Sequence, residues 1–342
     1  MPFEQGEISP DTVAELHRFP TAHLAALGVP VPALLRQEGT IVSPRKPAGG
    51  TMAASRTALT TVGDSAVPST LSVRAALLLT LAAVAVGAVA ADAQEPLAAA
   101  IASPSRSPKF TARDQYRHPL ETLRFFGLRP NQTVVEIWPG GGWYMEILAP
   151  YLREQGKYYA AIDAPDVPNA AKEAKDNAAV LRKRIADDPT HFGKVIVTEL
   201  HPPQLTEICP PGTADRVLTF RNVHNWLETG DQQAQFNAFF KALKPGGVLG
   251  VVEHRAKPGT SLEEMRKSGY MDEDYIKKLA ATAGFRFDAE SPINNNPKDT
   301  KDYPEGVWTL PPTLTLGDKD RDKYLAIGES DRMTLRFVKP GR

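Results

Sequence analysis

From residue 113 onward the apolar positions switch between two periods. Short runs rich in β-branched or aromatic residues, at 133–137, 158–162, 194–200, 215–220, 248–253, 285–290 and 333–338, read as strands. Between them, apolar residues recur every three to four positions and predict helices. These helices are 113–127 (Tyr116, Leu120, Leu123, Phe126), 144–154 (Ile147, Leu148, Leu152), 232–243 (Phe236, Phe239, Phe240, Leu243) and 272–283 (Ile276, Leu279, Ala280). Gly127 stops the first; Pro119 suits a helix start, which leaves 113–118 as a structured lead-in. Asp272 is the expected N-cap and Gly284 the expected stop of the last. The segment 170–186, rich in Ala, Lys and Arg, reads as a solvent-facing helix, and Lys244-Pro245-Gly246-Gly247 as a tight turn.

Strands alternating with helices predict an α/β fold, a doubly wound and mostly parallel sheet. The C-terminal end departs from that rhythm. No helix of useful length lies between 285–290 and 333–338, so these last strands are expected to pair antiparallel. The intervening stretch 291–332 is long for a loop in a compact domain, a length often tied to function. Two readings stand side by side: it covers a ligand site, or it is a surface excursion packed by Trp308.

The N-terminal third lacks this periodicity. Residues 1–72 are rich in Pro, Ala, Gly, Ser and Thr and predict disorder or weak helix, with one isolated amphipathic stretch at 11–27. Residues 73–93 combine Arg74, an uncharged apolar run containing Leu77-Leu78-Leu79, and Ala91-Asp92-Ala93 before Gln94. That order of positive residue, apolar stretch and small-x-small site predicts a secretory signal peptide, and the run is short for a membrane span. Met52, followed by Arg56, is the expected start, which makes 1–51 an extension from an over-long gene model. The alternative is an uncleaved signal anchor that tethers the protein to a membrane. Residues 94–112, with Pro and Ser, read as a linker, and 113–342 as the folded domain.

Charge and cysteine content narrow the function. The 342 residues carry 40 Lys+Arg and 40 Asp+Glu, so no basic excess points to nucleic acid. The single cysteine, Cys209, rules out an intrachain disulfide or a cysteine metal cluster and is expected to be a small buried thiol. No two histidines have i, i+4 spacing, so no zinc site is expected.

The candidate chemistry centres on Val134-Val135-Glu136-Ile137-Trp138-Pro139-Gly140-Gly141-Gly142-Trp143-Tyr144. An apolar strand ends in an acid, then glycines, then a helix start. Glycines admit positive φ and close approach of a ligand to the backbone, and helix-start N–H groups suit a polar or anionic group. Such turns also arise for packing alone. Asp163 closes the second strand about twenty residues past the last glycine, where an acid in a nucleotide-binding βαβ unit takes ribose hydroxyls; its plain alternative is a turn aspartate. His224, in Arg221-Asn222-Val223-His224 after the fourth strand, and His254, after Glu253 at the end of the fifth, fall on the ligand side of such a sheet. Each is a candidate general base or a hydrogen-bonded structural histidine.

Together these segments resemble the class I S-adenosylmethionine-dependent methyltransferases. The carrying residues are the glycine loop with Glu136, Asp163, the stretch around the fourth strand, and Leu243-Lys244-Pro245-Gly246-Gly247 leading into the fifth. In detail the chain resembles a group of exported bacterial methyltransferase-like proteins that share Glu-Ile-Trp-Pro-Gly-Gly-Gly-Trp-Tyr and Asn-Pro-Lys-Asp-Thr-Lys-Asp. The resemblance spans about residues 110–340. It implies a Rossmann-like seven-stranded sheet with an antiparallel last strand, S-adenosyl-L-methionine as cofactor, a small-molecule acceptor and a periplasmic location. It also implies that Glu136 approaches the methionine end, that Pro139, Gly140, Gly141 and Gly142 support the cofactor, that Asp163 takes the ribose, and that Phe220, Arg221 and Asn222 border the methionine part and the substrate mouth. Trp138 stands where the family usually has a glycine. Competing functions are a non-catalytic binding protein on the same fold, favoured by export away from the cytoplasmic cofactor supply, and an NAD-type oxidoreductase, which would need a second mononucleotide-binding half.

Overall fold

The computed structural model describes residues 95–341; the expected N-terminal extension and signal segment lie outside the described residues. Seven strands form one sheet: β1 (Thr133–Ile137), β2 (Lys157–Ile162), β3 (Ile196–Glu199), β4 (Ala214–Phe220), β5 (Leu243–His254), β6 (Arg286–Glu290) and β7 (Arg332–Val338). Their order is β3-β2-β1-β4-β5-β7-β6. The ladders from β3 across to β5 are parallel, and β7 runs antiparallel to both β5 and β6. This is the Rossmann-like, doubly wound, mostly parallel sheet with an antiparallel last strand that the periodicity predicts. In space the last strand is slotted between β5 and β6.

Helices cover both faces, as a parallel sheet buried on two sides requires. On one face lie α1 (Glu95–Ile101), α4 (Pro119–Phe125), α5 (Met145–Leu152) and α6 (Lys172–Asp187), with Leu97, Leu123, Phe126, Ile147, Leu148 and Leu181 in the core. On the other lie α8 (Trp226–Thr229), α9 (Gln232–Ala242) and α11 (Glu273–Ala283), which bring Trp226, Phe236, Phe239, Ile276 and Leu279 inward. Cys209 is 3% exposed, a buried thiol as expected.

Three local expectations change and one is sharpened. The 94–112 segment is not a free linker: α1 packs on α4 and α5, Leu97 is 1% exposed, and Arg106 makes a forked pair with Asp114 at 2.6 and 2.9 Å. Over 113–127 the helix starts at Pro119, as the proline suggested, and the lead-in before it is itself a short helix. After α2 (Pro108–Thr111), α3 (Asp114–Arg117) ends at His118, which takes the left-handed φ +40 as its C-cap, and Pro119 opens α4. Helix α6 is not solvent-facing all round, since Ala174, Ala178 and Leu181 form a buried stripe at helical spacing. The turn expected at 244–247 is part of β5: Leu243 already pairs with Ala214, the register then shifts, and Gly246 takes φ +77, the geometry of a bulge rather than a separate turn.

Candidate functional site

Register decides which side chains meet. Glu136 lies opposite Ala160 on β2 and Leu218 on β4, and Phe220 lies opposite Val252 on β5. The C-terminal ends of β1, β2, β4 and β5 therefore present Glu136, Asp163, Arg221 and Glu253-His254 along one crest. Because β7 is antiparallel, it is its N-terminal residue, Arg332, that reaches this crest, opposite His254. Ligands of open α/β sheets bind outside the carboxyl ends of the parallel strands, which is here.

At the β1 side, Glu136 is 2% exposed and accepts a hydrogen bond from the Tyr158 hydroxyl at 2.5 Å. Burial raises its carboxyl from the ordinary 4.5 to about 7, against the opposing pull of that hydroxyl and of Arg117. Pro139 and Gly140 are half-buried, Gly141 is exposed and Gly142 is buried. Gly140 takes φ +55, and a Cβ there would meet nothing within 4 Å, so the backbone at this point faces open space. Gly142 differs: at φ +84 its Cβ would come within 3.1 Å of Met145 in α5. Asp163 is partly exposed beyond β2, 3.5 Å from His201 Nδ1, and burial raises its carboxyl above the usual range despite that histidine.

Trp138 takes φ +45, which is uncommon for any residue but glycine. Its indole meets Trp226 edge-on at 5.8 Å, and Nε1–H donates to the Leu200 carbonyl, just past β3, at 3.3 Å. As β2 lies between β1 and β3, the indole reaches across the end of β2 to make that bond. Two surface cavities, of about 180 and 360 Å³, are lined by other residues and contain none of this loop.

On the β4–β5 side, Asn222 is buried and ties the crest together: Nδ2 donates to the Ile137 carbonyl at 2.7 Å and to Thr219 Oγ1 at 3.2 Å. Arg221 takes φ +61. Glu253 is fully buried and accepts three bonds, from the Val223 and His254 backbone N–H groups at 2.7 and 2.8 Å and from His224 Nδ1 at 3.0 Å. A carboxylate on Nδ1 fixes that nitrogen as the donor and leaves His224 Nε2 as the acceptor in the neutral ring. His254 Nδ1 lies 2.5 Å from Ser330 Oγ, and burial with neighbouring His224, Arg221, Arg332 and Arg117 holds its ring well below the ordinary value, hence uncharged at neutral pH. Trp308, in the 291–332 stretch, stands edge-on to His224 at 6.2 Å, so that stretch borders the crest.

His224, Glu253 and His254 offer ligand atoms within 4.8 Å of one another, a grouping that sequence spacing hid because strand pairing, not a helix turn, brings the histidines together. Both Glu253 oxygens are taken by donors, and Arg221 lies in its field. That environment suits a histidine-orienting carboxylate better than a cation ligand.

Sequence reasoning missed a second set. Arg113 and Arg117 both donate to Glu329, Nε to oxygen, at 2.6 and 3.4 Å, and Arg332 Nη1 lies 3.2 Å from the same carboxylate. Their field holds Glu329, 4% exposed, at about 2, below the ordinary 4.5, against its burial. Asn296, in the Asn-Pro-Lys-Asp segment, fixes this acid by donating to the Ile327 and Glu329 carbonyls at 2.9 and 2.7 Å. The only local signals were the i, i+4 arginines in the lead-in and the i, i+3 spacing of Glu329 and Arg332.

The fold and crest define the class of molecule: a Rossmann-like α/β domain with a glycine loop at its ligand edge. No protein-family model and no curated protein matches the sequence. Among solved structures, an S-adenosylmethionine-dependent methyltransferase from Aquifex aeolicus is similar at 16% identity, with 68% of this chain and 94% of that one covered and a TM-score of 0.43. The phosphoethanolamine N-methyltransferase 2 of Haemonchus contortus, solved with S-adenosylhomocysteine, is similar at 16% identity over 70% of this chain and 60% of that one, TM-score 0.45. The [4+2]-cyclase SpnF is similar at 13% identity over 70% and 85%, TM-score 0.45. The assignment of fold rests on the strand order itself.

Proposed function

We propose that this domain is an S-adenosylmethionine-dependent methyltransferase acting on a small molecule. The observation that carries the reading is the open backbone at Gly140, set on one crest between an acid at the end of β1 and a partly exposed acid at the end of β2. This donor set fits the cofactor: hydroxyl groups suit Asp163, a positively charged amine suits Glu136, and the glycine backbone permits close approach. When bound, the cofactor supplies a methyl group on a cationic sulfur. The chain's own part is alignment, which accounts for most of what such a transfer needs. The His224 ring, oriented by Glu253, presents Nε2 as the acceptor for a proton released by the acceptor's hydroxyl or amine. His254, uncharged, stands 5.2 Å from it between ring centroids and adds no competing positive charge.

A non-catalytic binding protein on the same fold is the second reading. It is favoured by Trp138, whose indole crosses the end of β2, and by export, a supply argument that accompanies the signal-like segment. Calorimetry with S-adenosylmethionine, S-adenosylhomocysteine and NAD separates the readings. Binding of both sulfur nucleotides and not NAD is expected. Asp163→Ala is expected to weaken that binding by about 1–3 kcal/mol, the loss of hydrogen bonds to a charged group. Binding of neither sulfur nucleotide removes the methyltransferase reading; unchanged affinity in the variant removes Asp163 from the site.

A further inference from the structure

The crest carries more positive charge than cofactor binding or proton transfer uses. Arg113, Arg117, Arg221 and Arg332 share one ionised carboxylate, Glu329. Arg332 is otherwise satisfied, since Nη2 donates to the Tyr116 carbonyl at 2.6 Å and Nε to the Ser330 carbonyl at 3.3 Å. The other three are not. Arg113 Nη2 and Arg117 Nη2 are buried without an acceptor, and the Arg117 side chain is only 3% exposed. The Arg221 guanidinium donates to no described residue, although it lies in the field of Arg332, Glu329, Arg113 and Glu253. Neither remaining acid cancels the excess: Glu253 is taken up by His224 and two backbone N–H groups, and Glu136 accepts from Tyr158.

A buried guanidinium N–H without an acceptor is costly, and two of them, Arg113 Nη2 and Arg117 Nη2, flank this one acid. The fork of a guanidinium matches a carboxylate or phosphate bidentately. We propose that Arg113, Arg117 and Arg221 bind an anionic group of the methyl acceptor, a carboxylate or a phosphate monoester, and so select anionic over neutral or cationic acceptors. Arg221 assigns the anion to the acceptor: it follows β4 beside the His224–Glu253 pair, away from Asp163 at the end of β2, while Arg117, 4.7 Å from the ring centroid of Trp143 in the glycine loop, borders the site on the other side. An acceptor anchored here would hold its reacting atom near His224 Nε2. The word acceptor rests on the methyltransferase reading; the anion site does not.

The test uses the full-length protein, with inorganic phosphate and malonate as probes in low-salt buffer. Calorimetry and thermal melting are run with and without saturating S-adenosylhomocysteine. At least one anion is expected to bind saturably and raise the melting temperature. Arg117→Met and Arg221→Asn, the latter chosen because asparagine tolerates the left-handed backbone, are expected to weaken that binding about tenfold or more. Melting in anion-free buffer is the control for folding: Arg221→Asn, which loses no hydrogen bond or ion pair to a described residue, is expected to leave the melting temperature unchanged or higher, and a drop marks that arginine as structural and overturns the proposal. Arg117→Met also loses its Glu329 pair, so its anion affinity is measured well below its own melting temperature. No saturable binding of either anion, or undiminished binding in both variants, also overturns it. Arg117→Met weakening S-adenosylhomocysteine as much as the anion would place the cations at the cofactor's carboxylate and overturn the acceptor assignment. Anion binding without S-adenosylhomocysteine binding overturns the methyltransferase reading alone.

Discussion

At the scale of single residues, Glu136 has a measurable signature. Its carboxyl titrates near 7 in the folded protein and near 4.5 when free, so between these values the folded state holds a proton that the unfolded chain has released. Stability must then fall as pH rises from about 4.5 to 7 and level off above. The full effect is on the order of 3 kcal/mol for a side chain this buried. Glu136→Gln keeps an acceptor for the Tyr158 hydroxyl and removes the titration. Urea unfolding is expected to show the variant more stable than the parent at pH 8 and no more stable at pH 4.5. Equal differences at both pH values would show that Glu136 does not titrate in this range. Glu136 was readable as a site acid from its place at the end of an apolar run. Its shifted carboxyl was not, because the shift comes from burial, against the pull of Tyr158 and Arg117, and burial is set by strand pairing and by helices distant in the chain.

At the scale of the β1–α5 loop, the glycines divide into two kinds that the string Gly140-Gly141-Gly142 does not distinguish. Gly140→Ala places a methyl in open space, with only the cost of a positive φ, about 1 kcal/mol. It should instead obstruct whatever lies on the loop. Gly142→Ala meets Met145 at 3.1 Å as well as strain at φ +84. Denaturant melts and S-adenosylhomocysteine titrations of both variants are expected to separate: Gly140→Ala loses affinity more than stability, and Gly142→Ala loses stability by roughly 1–3 kcal/mol. The reverse order would mean that the ligand does not lie along Gly140. Elsewhere, local signals served well where they were strictly local. Asp272 caps α11 by accepting from the Tyr275 N–H at 2.9 Å, and Gly284 ends it at φ +102, as read from the residues alone. They failed where a neighbour decided. The prolines and serines of 94–112 read as a linker, yet its apolar run at 97–102 lets α1 pack on α4 and α5.

At the scale of the whole domain, Glu329 joins the first helical turns to the last strand, 216 residues from Arg113. Its carboxyl is held near 2, so its contribution is present above the ordinary 4.5 and is lost as pH falls toward 2. Glu329→Gln leaves Arg113, Arg117 and Arg332 without their counter-charge and is expected to destabilise the fold by about 3–5 kcal/mol at pH 7, measured by urea unfolding. The gap should narrow at pH 3, where the parent begins to lose the same charge. A gap independent of pH would mean that the glutamate's packing, not its charge, holds the two ends together.

The sequence by itself determined the seven strands, the helices at 119–127, 144–154, 232–243 and 272–283, the antiparallel end of the sheet and the crest on which Glu136, Gly140, Asp163, His224 and His254 stand. All of these follow from apolar period, glycine and cap positions, and the rule that ligands meet parallel sheets at their carboxyl ends. Only the tertiary structure decided which charges share that crest. Insertion of β7 between β5 and β6 turns Arg332 and Glu329 toward it, and the α3 segment swings Arg113 and Arg117 over them. Trp138, in the glycine loop itself, is likewise directed by its neighbours: the Leu200 carbonyl and Trp226 draw the indole across β2. Ionic and aromatic contacts between residues far apart in the chain leave no periodic trace in the sequence, because their partners are set by packing rather than by spacing.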